Sequence, residues 1–282
     1  MQVIVHGGAG DESDEPARRQ AVLDDAAAAG AGATGVLDAV TAAVEVLEAD
    51  ARFNAGRGGA IQSDGRVRTD AGVMTSDRAV GAVAGLDGVT HAARVARLVL
   101  EETPHVLLAG DPAVDFARAH DVAVEDLTTD ATRARFAEAD PPGGDAREHL
   151  AWVLERFGVD HDTVGAVATD GEAFAAATST AGRWFALAGR VGDVPQVGAG
   201  FYCSPAGGAS ATGAGEDIAR SLLARRAVGH LERGADAATA AERAIDEFAD
   251  LTDSRAGVIV RGPDGSGRAF NTEAMQTAEA ER

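Results

Sequence analysis

Two consecutive strand-like segments in the second half of the chain place the strongest constraint on its fold. They cover residues 163–169 and 174–180, contain no charged side chain, and are separated by a turn that includes the dipeptide Asp170-Gly171. An Asp-Gly turn between two such segments is a strong signal for a β-hairpin. Since neither segment carries a charge, both strands are expected to be buried, with Thr163 at the start of the first.

The rest of the pattern predicts helices and a few further strands. Segments with apolar residues at helical spacing are predicted to be helices, and short uninterrupted apolar segments are predicted to be strands. The predicted strands are about 1–6 and 256–261, and the predicted helices are about 16–30, 36–47, 91–102, 111–119, 150–157, 215–234 and 236–248. The polar region 128–148, which is interrupted by prolines and glycines, is expected to be a loop or linker. Because the strands pair as hairpins instead of alternating regularly with helices, we expect antiparallel-rich sheets covered by helices, not a Rossmann fold.

The composition limits how the interior can be built. Apolar residues make up 45% of the 282 residues, but aromatic residues only 4%, and there are 35 glycines. The core is therefore expected to consist mainly of Ala, Val and Leu, with the layers of helix and sheet close together. A chain of this length suits one large domain over residues 1–282.

The charge balance makes nucleic acid an unlikely partner. There are 45 acidic residues against 25 basic ones, all of them arginine, and the net charge is −20. Such a surface disfavours nucleic acid, and because salt screens its self-repulsion we interpret it as adaptation to a salty cytoplasm. The single cysteine, Cys203, excludes an internal disulfide and fits a reducing compartment. The sequence has neither a signal-peptide pattern nor a stretch of about 20 apolar residues, so a cytoplasmic location without membrane contact is expected.

Small polar residues and glycines form seven short motifs. Four lie close together in the second half: His-Asp-Thr-Val-Gly at 161–165, Ala-Thr-Ser-Thr at 177–180, Gly-Arg-Val-Gly-Asp at 189–193 and Ala-Thr-Gly-Ala-Gly-Glu at 211–216. The other three are His-Gly-Gly-Ala-Gly at 6–10, Phe-Asn-Ala-Gly-Arg-Gly at 53–58 and Phe-Asn-Thr-Glu at 270–273. In this order they resemble the family of plant-type asparaginases, isoaspartyl peptidases and glycosylasparaginases.

The resemblance implies a fold and a maturation step. The implied fold is of the α/β (α+β) class, a four-layer αββα sandwich of the N-terminal-nucleophile hydrolases. Members cleave themselves before a threonine, so the implied products are an α chain of residues 1–162 and a β chain of residues 163–282. A homodimer of such two-chain units, with a small-molecule substrate (asparagine or a β-aspartyl peptide), is also implied.

Chemistry supports a catalytic role for Thr163. A threonine hydroxyl is a weak nucleophile that needs an adjacent base, and the freed α-amino group of the same residue can be that base. Its pKa of about 7.7 to 8 leaves an appreciable neutral fraction at neutral pH.

The family motifs imply further roles residue by residue. Thr180 matches the residue that positions the nucleophile, and Thr212 with the backbone N–H of Gly213 matches the oxyanion hole, where one donor contributes about 3 kcal/mol. Arg190, Asp193 and Gly215 match the substrate-binding residues. A guanidinium suits the substrate α-carboxylate, and a carboxylate suits its α-ammonium group. Residues matched to the cleavage junction and its support are Asn54, Asp162 and His161.

The segment around Asn54 resembles the family loop that holds a monovalent cation through backbone carbonyls. The resemblance implies sodium or potassium as a structural ion and no cofactor for catalysis. The implied ligands are the carbonyl groups of Leu47, Glu48, Phe53, Ala55 and Arg57.

Other readings of the same residues are weaker. The Gly-rich segment at 7–10 occurs without a Gly-x-Ser-x-Gly elbow and without a P-loop ending, and the seven histidines lack the spacing of a zinc site. Thr163 alone could be structural, Arg190 and Asp193 alone could be a surface ion pair, and His161 could equally occupy a turn. A glycosylasparaginase-like amidase, a threonine endopeptidase and an uncleaved binding scaffold remain alternatives.

One segment departs from the plant-type pattern. Residues 183–187, Arg-Trp-Phe-Ala-Leu, replace a stretch that is usually polar in that group. We expect them to line the pocket entrance and to influence which leaving group is accepted, with Trp184 as the main contact.

Overall fold

The computed structural model describes residues 1–156 and 162–282. Its helices are α1 Pro16–Ala31, α2 Val36–Ala49, α3 Ala92–Glu102, α4 Gly110–Ala119, α5 Asp130–Glu138, α6 Ala146–Arg156, α7 Gly215–Ser221, α8 Leu223–Glu232 and α9 Ala237–Leu251. Its strands are β1 Gln2–Gly10, β2 Arg68–Thr75, β3 Val80–Asp87, β4 Leu107–Ala109, β5 Val164–Thr169, β6 Phe174–Thr180, β7 Phe201–Ser204, β8 Gly207–Gly213, β9 Ala256–Gly262, β10 Gly265–Phe270 and β11 Ala274–Glu281.

The strands form two sheets. The larger has the order β11-β1-β5-β6-β2-β3-β4, and the smaller has the order β10-β9-β8-β7. The expected hairpin is confirmed at the centre of the larger sheet, where Val164 pairs with Ser179 and Thr169 with Phe174. Strand β1 pairs with β5 on its other side, and all the strand pairs are antiparallel except β3 with β4.

The two sheets face each other between two layers of helices. An outer core fills the space between the larger sheet and helices α1 to α3, with Leu23, Val44 and Val99 fully buried. A second outer core lies between the smaller sheet and helices α8 and α9. The middle core lies between the sheets and includes Ile4, Val167, Phe201 and Ile259. This arrangement confirms the αββα sandwich.

Small residues allow the two sheets to approach closely. A Cβ on Gly165 of β5 would lie 1.9 Å from Ser210 Oγ of β8, and one on Gly72 of β2 would lie 2.0 Å from the Phe201 ring. Cys203 is fully buried in this middle layer, where burial raises the pKa of its thiol. Close approach of the sheets places residues from both of them at one end of the sandwich, where the candidate site lies.

Three sequence expectations about local structure are wrong. The region expected to be a loop, 128–148, contains all of α5 and the start of α6. The Thr129 hydroxyl caps α5 by accepting from the Thr132 backbone N–H, and ring contacts join Phe136 to Trp152 and Phe185. A polar helix held by a few aromatic contacts leaves little apolar periodicity to detect.

The long helix expected over 215–234 is divided in two. Leu222 adopts a left-handed conformation, with φ of 55°, and separates α7 from α8. Strand β1, which was expected to end at about residue 6, continues to Gly10. Its pairing with β11 is irregular between His6 and Ala9. Within the described ranges no helix is both long enough and apolar enough to cross a bilayer.

Candidate active site

The bond between Asp162 and Thr163 lies at the start of β5 in a buried setting. Thr163 is 4% exposed. The carbonyl oxygen of Asp162 accepts a hydrogen bond of 2.9 Å from Asn54 Nδ2 and one of 3.0 Å from Thr180 Oγ1. Two donors on one carbonyl oxygen polarise its carbon and can stabilise negative charge that develops on the oxygen.

Both donors are held in place by the backbone around them. Asn54 Oδ1 accepts from the Ala60 backbone N–H at 2.7 Å, and Asn54 Nδ2 also donates to the Gly182 carbonyl at 2.6 Å. Thr180 is the last residue of β6, and its hydroxyl accepts from the Gly182 backbone N–H at 3.0 Å. The family resemblance implies that Thr180 positions the nucleophile's hydroxyl. In the uncleaved chain the Thr180 hydroxyl donates to the Asp162 carbonyl oxygen.

The Asp162 side chain packs against the glycine-rich end of β1. Gly8 has φ of 114°, and a Cβ there would lie 2.3 Å from Asp162 Oδ1. Any other residue at position 8 would therefore be both strained in its backbone and in collision with Asp162. The expected neighbour on the other side, His161, lies outside the described residues.

The predicted substrate-binding residues meet in one place. Arg190 Nε donates to Glu216 Oε1 at 2.9 Å, and the guanidinium lies against Gly192 and Gly215. A Cβ on Gly215 would be 2.7 Å from both Arg190 Nη2 and Asp193 Oδ1, so only glycine leaves room there. Arg190 Nη2 and Asp193 Oδ2 are buried, and neither finds a hydrogen-bond partner within the described part of the chain.

This pocket concentrates carboxylates around the guanidinium of Arg190. Burial raises the pKa of Asp193 to about 7 and that of Asp70 to about 6, while the nearby Arg190 charge opposes both shifts. Burial would also raise the pKa of Glu216, but its hydrogen bond and charge interaction with Arg190 lower it to about 2. The pocket therefore keeps one carboxylate fully charged and holds two others near their titration points at neutral pH.

Thr212 and Gly213 end strand β8 of the smaller sheet. The Thr212 hydroxyl is buried without a hydrogen-bond partner among residues 1–156 and 162–282. Gly213 has φ of 133°, and a Cβ there would lie 2.4 Å from the Arg255 carbonyl oxygen. Thr212 pairs with Gly257, whose Cα lies close to Ala9 at the end of β1. Thr212 and Gly213 therefore lie at the same end of the sandwich as Asp162. The Thr212 hydroxyl is available to donate to an oxyanion.

A buried hydrogen-bonded chain joins the two sheets beneath Thr163. His6 Nε2 lies 2.8 Å from Ser210 Oγ, which lies 2.7 Å from Thr178 Oγ1. Burial lowers the pKa of His6 to about 3, and the neighbouring Thr163 backbone opposes this by less. His6 is therefore neutral at physiological pH and serves to tie β1 to β8.

The segment expected to hold a cation folds back on itself. A Cβ on Gly56 would lie 2.4 Å from the Glu48 carbonyl oxygen, which also accepts from the Arg57 backbone N–H at 3.2 Å. The carbonyl oxygens of Leu47 and Ala55 each accept one long hydrogen bond, of 3.4 and 3.5 Å. Each of these two oxygens therefore keeps a second lone pair that is available to a cation.

The side chains of the described residues form no group of three or more His, Cys, Asp or Glu that could hold a metal ion. The ligands that the family resemblance implies for the 47–57 segment are backbone carbonyl oxygens, which lie outside that search.

Trp184, which was expected to lie at the pocket entrance, is found beside the bond between Asp162 and Thr163. It is half-buried and lines a cavity of about 250 Å³ together with Asn54 and Asp162. The Arg135 guanidinium lies 4.1 Å from the centre of its ring, a cation–π contact. The flanking residue Arg183 is directed elsewhere, to Glu216 at 3.0 Å.

Three residues in or beside this site were not predicted from the sequence: Asp70, Glu216 and Arg19, whose guanidinium lies 3.7 Å from the Asp162 carboxylate. Asp70 directly precedes the apolar run 71–74 of β2, and an acidic residue within a buried strand is a signal that could have been used. Glu216 stands at the end of a recognised motif, so its position was visible but its contact with Arg190 was not. Arg19 lies in a polar helix turn, where no local pattern distinguishes it from Arg18.

Comparison with known proteins extends these observations. Residues 1–282 match the family described as Asparaginase. The chain is 41% identical over 288 residues to the plant-type L-asparaginase of Pyrobaculum calidifontis, which covers 97% of this chain and 94% of that protein. It is 41% identical over 259 residues to the plant-type L-asparaginase of Pyrococcus furiosus, covering 87% and 84%. It is 36% identical over 295 residues to the isoaspartyl peptidase/L-asparaginase of Danio rerio, covering 99% and 92%. The similarity extends over almost the whole chain, not over a single motif.

Proposed function

This chain belongs to the asparaginase family, and from that premise we propose that it is an amidohydrolase acting on L-asparagine, on β-aspartyl dipeptides, or on both. The resemblance seen in the sequence motifs is thereby confirmed at the level of the family. The observation that carries the proposal is the pocket in which Arg190, Asp193 and Gly215 meet. Its buried guanidinium and carboxylate suit the α-carboxylate and α-ammonium groups that both substrates share.

The enzyme is made as a single chain and cleaves itself before Thr163. The Thr163 hydroxyl oxygen attacks the Asp162 carbonyl carbon, the carbon–nitrogen bond breaks, and the nitrogen takes up the hydroxyl proton as the α-amine. Water then hydrolyses the resulting ester, which releases the Asp162 carboxylate and restores the hydroxyl. Support comes from the two hydrogen bonds that Asn54 and Thr180 donate to the attacked carbonyl.

Hydrolysis of the substrate repeats the same chemistry on a bound amide. The Thr163 hydroxyl attacks the β-carbonyl carbon while the free α-amine accepts its proton and passes it to the leaving nitrogen. Water then hydrolyses the resulting ester, which releases aspartate and restores the Thr163 hydroxyl. Thr212 Oγ1 and the Gly213 N–H stabilise the oxyanion. The buried Thr212 hydroxyl without a partner among the described residues supports this role.

The carbonyl groups of the 47–57 segment, which includes Asn54, would hold a sodium or potassium ion that takes no part in the reaction. Such an ion would fix the segment whose Asn54 amide donates to the Asp162 carbonyl. The proposal extends to a homodimer of two-chain units, as the family resemblance implies. It also extends to a salt-rich cytoplasm, because salt screens the self-repulsion of a chain with a net charge of −20.

Intact-mass measurement and an ammonia-release assay test this function together. Purified protein should contain two chains, with the smaller fragment beginning at Thr163, and should release ammonia from asparagine. Thr163→Ala should remain one chain and be inactive. A single chain without ammonia release in high salt would favour a binding scaffold, and activity confined to glycosylated asparagine would favour a glycosylasparaginase.

A further inference from the structure

Arg19 on α1 touches three segments that meet at the cleavage junction. Its Nη2 donates to the Gly7 carbonyl at 2.7 Å, and its Nη1 donates to the Arg52 carbonyl at 2.5 Å. The same Nη2 lies 3.7 Å from Asp162 Oδ2. The side chain is 14% exposed, so its charge is weakly screened by solvent.

The guanidinium is also fixed in orientation. It lies over the Phe53 ring, 4.6 Å from the ring centre. Phe53 directly precedes Asn54, the residue that donates to the Asp162 carbonyl. Arg19 therefore contacts the Asp162 carboxylate and also supports the loop whose amide holds the Asp162 carbonyl.

The Asp162 side chain is contacted from two sides. Its carboxylate lies against the Cα of Gly8 on one side, and Arg19 lies on another. Gly8 follows Gly7, whose carbonyl Arg19 also binds. One planar, permanently charged group thus ties together the end of β1, the 52–54 segment and the residue before Thr163.

We propose that Arg19 is a positioning residue for self-cleavage: by holding the Asp162 side chain and the 52–54 segment, it keeps the Asp162 carbonyl carbon within reach of the Thr163 hydroxyl. The inference rests on the proposed self-cleavage. Arg19 forms and breaks no bond in that reaction. Since the Asp162 backbone is not part of any small substrate, Arg19 affects maturation far more than hydrolysis.

The test compares two neighbouring arginines. Arg19→Gln removes the positive charge and the planar set of guanidinium donors. Arg18→Gln is the matched control, because the Arg18 side chain is 69% exposed and pairs with Glu15 at the surface. Each precursor is refolded from denaturant in molar potassium chloride, and loss of the single chain is followed by intact mass. We expect cleavage of Arg19→Gln to be slower by about tenfold or more, and Arg18→Gln to match wild type.

A double-mutant cycle separates positioning from general loss of structure. Asp162→Asn should slow cleavage. The double variant Arg19→Gln/Asp162→Asn should be slowed by less than the product of the two single fold-changes. Arg19→Lys keeps the charge and should retain part of the rate even if Arg19→Gln folds poorly. Once cleaved, Arg19→Gln should hydrolyse asparagine with a kcat/KM within about threefold of wild type.

Several results would overturn the inference. Equal cleavage rates for Arg19→Gln and wild type would remove Arg19 from the junction while leaving the proposed function intact. Fully multiplicative effects of Arg19→Gln and Asp162→Asn would show that the two side chains do not act together. A wild-type chain that never cleaves would overturn this inference and the proposed maturation together.

Discussion

Asn54 donates a hydrogen bond of 2.9 Å from its side-chain amide to the carbonyl oxygen of Asp162. The two residues are 108 positions apart, and the 53–60 loop and the start of β5 bring them together. The contact joins the segment expected to bind a cation to the bond expected to be cut.

Loss of either donor to the Asp162 carbonyl should slow self-cleavage. Thr180→Val removes one hydroxyl donor of nearly the same shape, and we expect the rate to fall by about 100-fold, the effect of one oxyanion donor. Thr180→Ser keeps the hydroxyl and serves as the control. The loss of the uncleaved chain is measured for both variants by denaturing gel. Equal cleavage rates for Thr180→Val and Thr180→Ser would show that Thr180 does not act on this carbonyl.

Arg190→Ala should separate hydrolysis from maturation. The guanidinium is proposed to bind the carboxylate of a free substrate, which the precursor does not need, so cleavage should persist. We expect kcat/KM for asparagine to fall by about 100-fold or more, since a buried charge-assisted contact is lost. Arg220→Ala, at a side chain that is 74% exposed, is the matched control. Wild-type turnover by Arg190→Ala would remove it from substrate binding.

The pH dependence of asparagine hydrolysis should report on Asp193. Burial raises its pKa to about 7, so the free enzyme loses this negative charge as the pH falls below 7. The substrate ammonium group then has no charged partner, and kcat/KM should decline on the acid side in step with two ionisations, Asp193 and the Thr163 α-amine. In Asp193→Asn the decline should follow one ionisation. A wild-type profile with one ionisation would contradict the role of Asp193.

Trp184 should influence the choice of leaving group. It lines the cavity beside Asp162, and its ring offers area for stacking against an amino-acid leaving group. Trp184→Ala should change the ratio of kcat/KM values for a β-aspartyl dipeptide and for asparagine, while Trp184→Phe should change it less. Self-cleavage should be retained in both. An unchanged ratio would exclude Trp184 from the pocket, and loss of cleavage would indicate a structural role.

Stability should increase with salt. The net charge of −20 produces self-repulsion whose range shortens to about 3 Å at 1 M salt. We therefore expect the melting temperature to rise between low and molar potassium chloride. Sucrose at matched osmolality is the control, because it stabilises by exclusion from the surface without screening charge. The same melting temperature at both salt concentrations would contradict the halophilic interpretation.

The local elements that carry the chemistry could be predicted from the sequence. The Asp170-Gly171 turn and the uncharged segments beside it predicted the central hairpin, because turn chemistry and strand burial depend on neighbouring residues. Helices with strong apolar periodicity, such as α2, were predicted within two residues of their observed ends. The weakly periodic α5 was missed, because its stability depends on a cap and on aromatic contacts with distant residues.

The sequence by itself determined the hairpin, the acidic surface, and the motifs that identify the family and its candidate nucleophile, Thr163. Only the tertiary structure decided which groups meet: Asn54 and Thr180 at the Asp162 carbonyl, Glu216 at Arg190, and Arg19 at the junction. Local propensities act over a few residues, whereas these contacts join segments up to 143 positions apart. Their geometry is set by sheet pairing and by the close approach of two glycine-containing sheets.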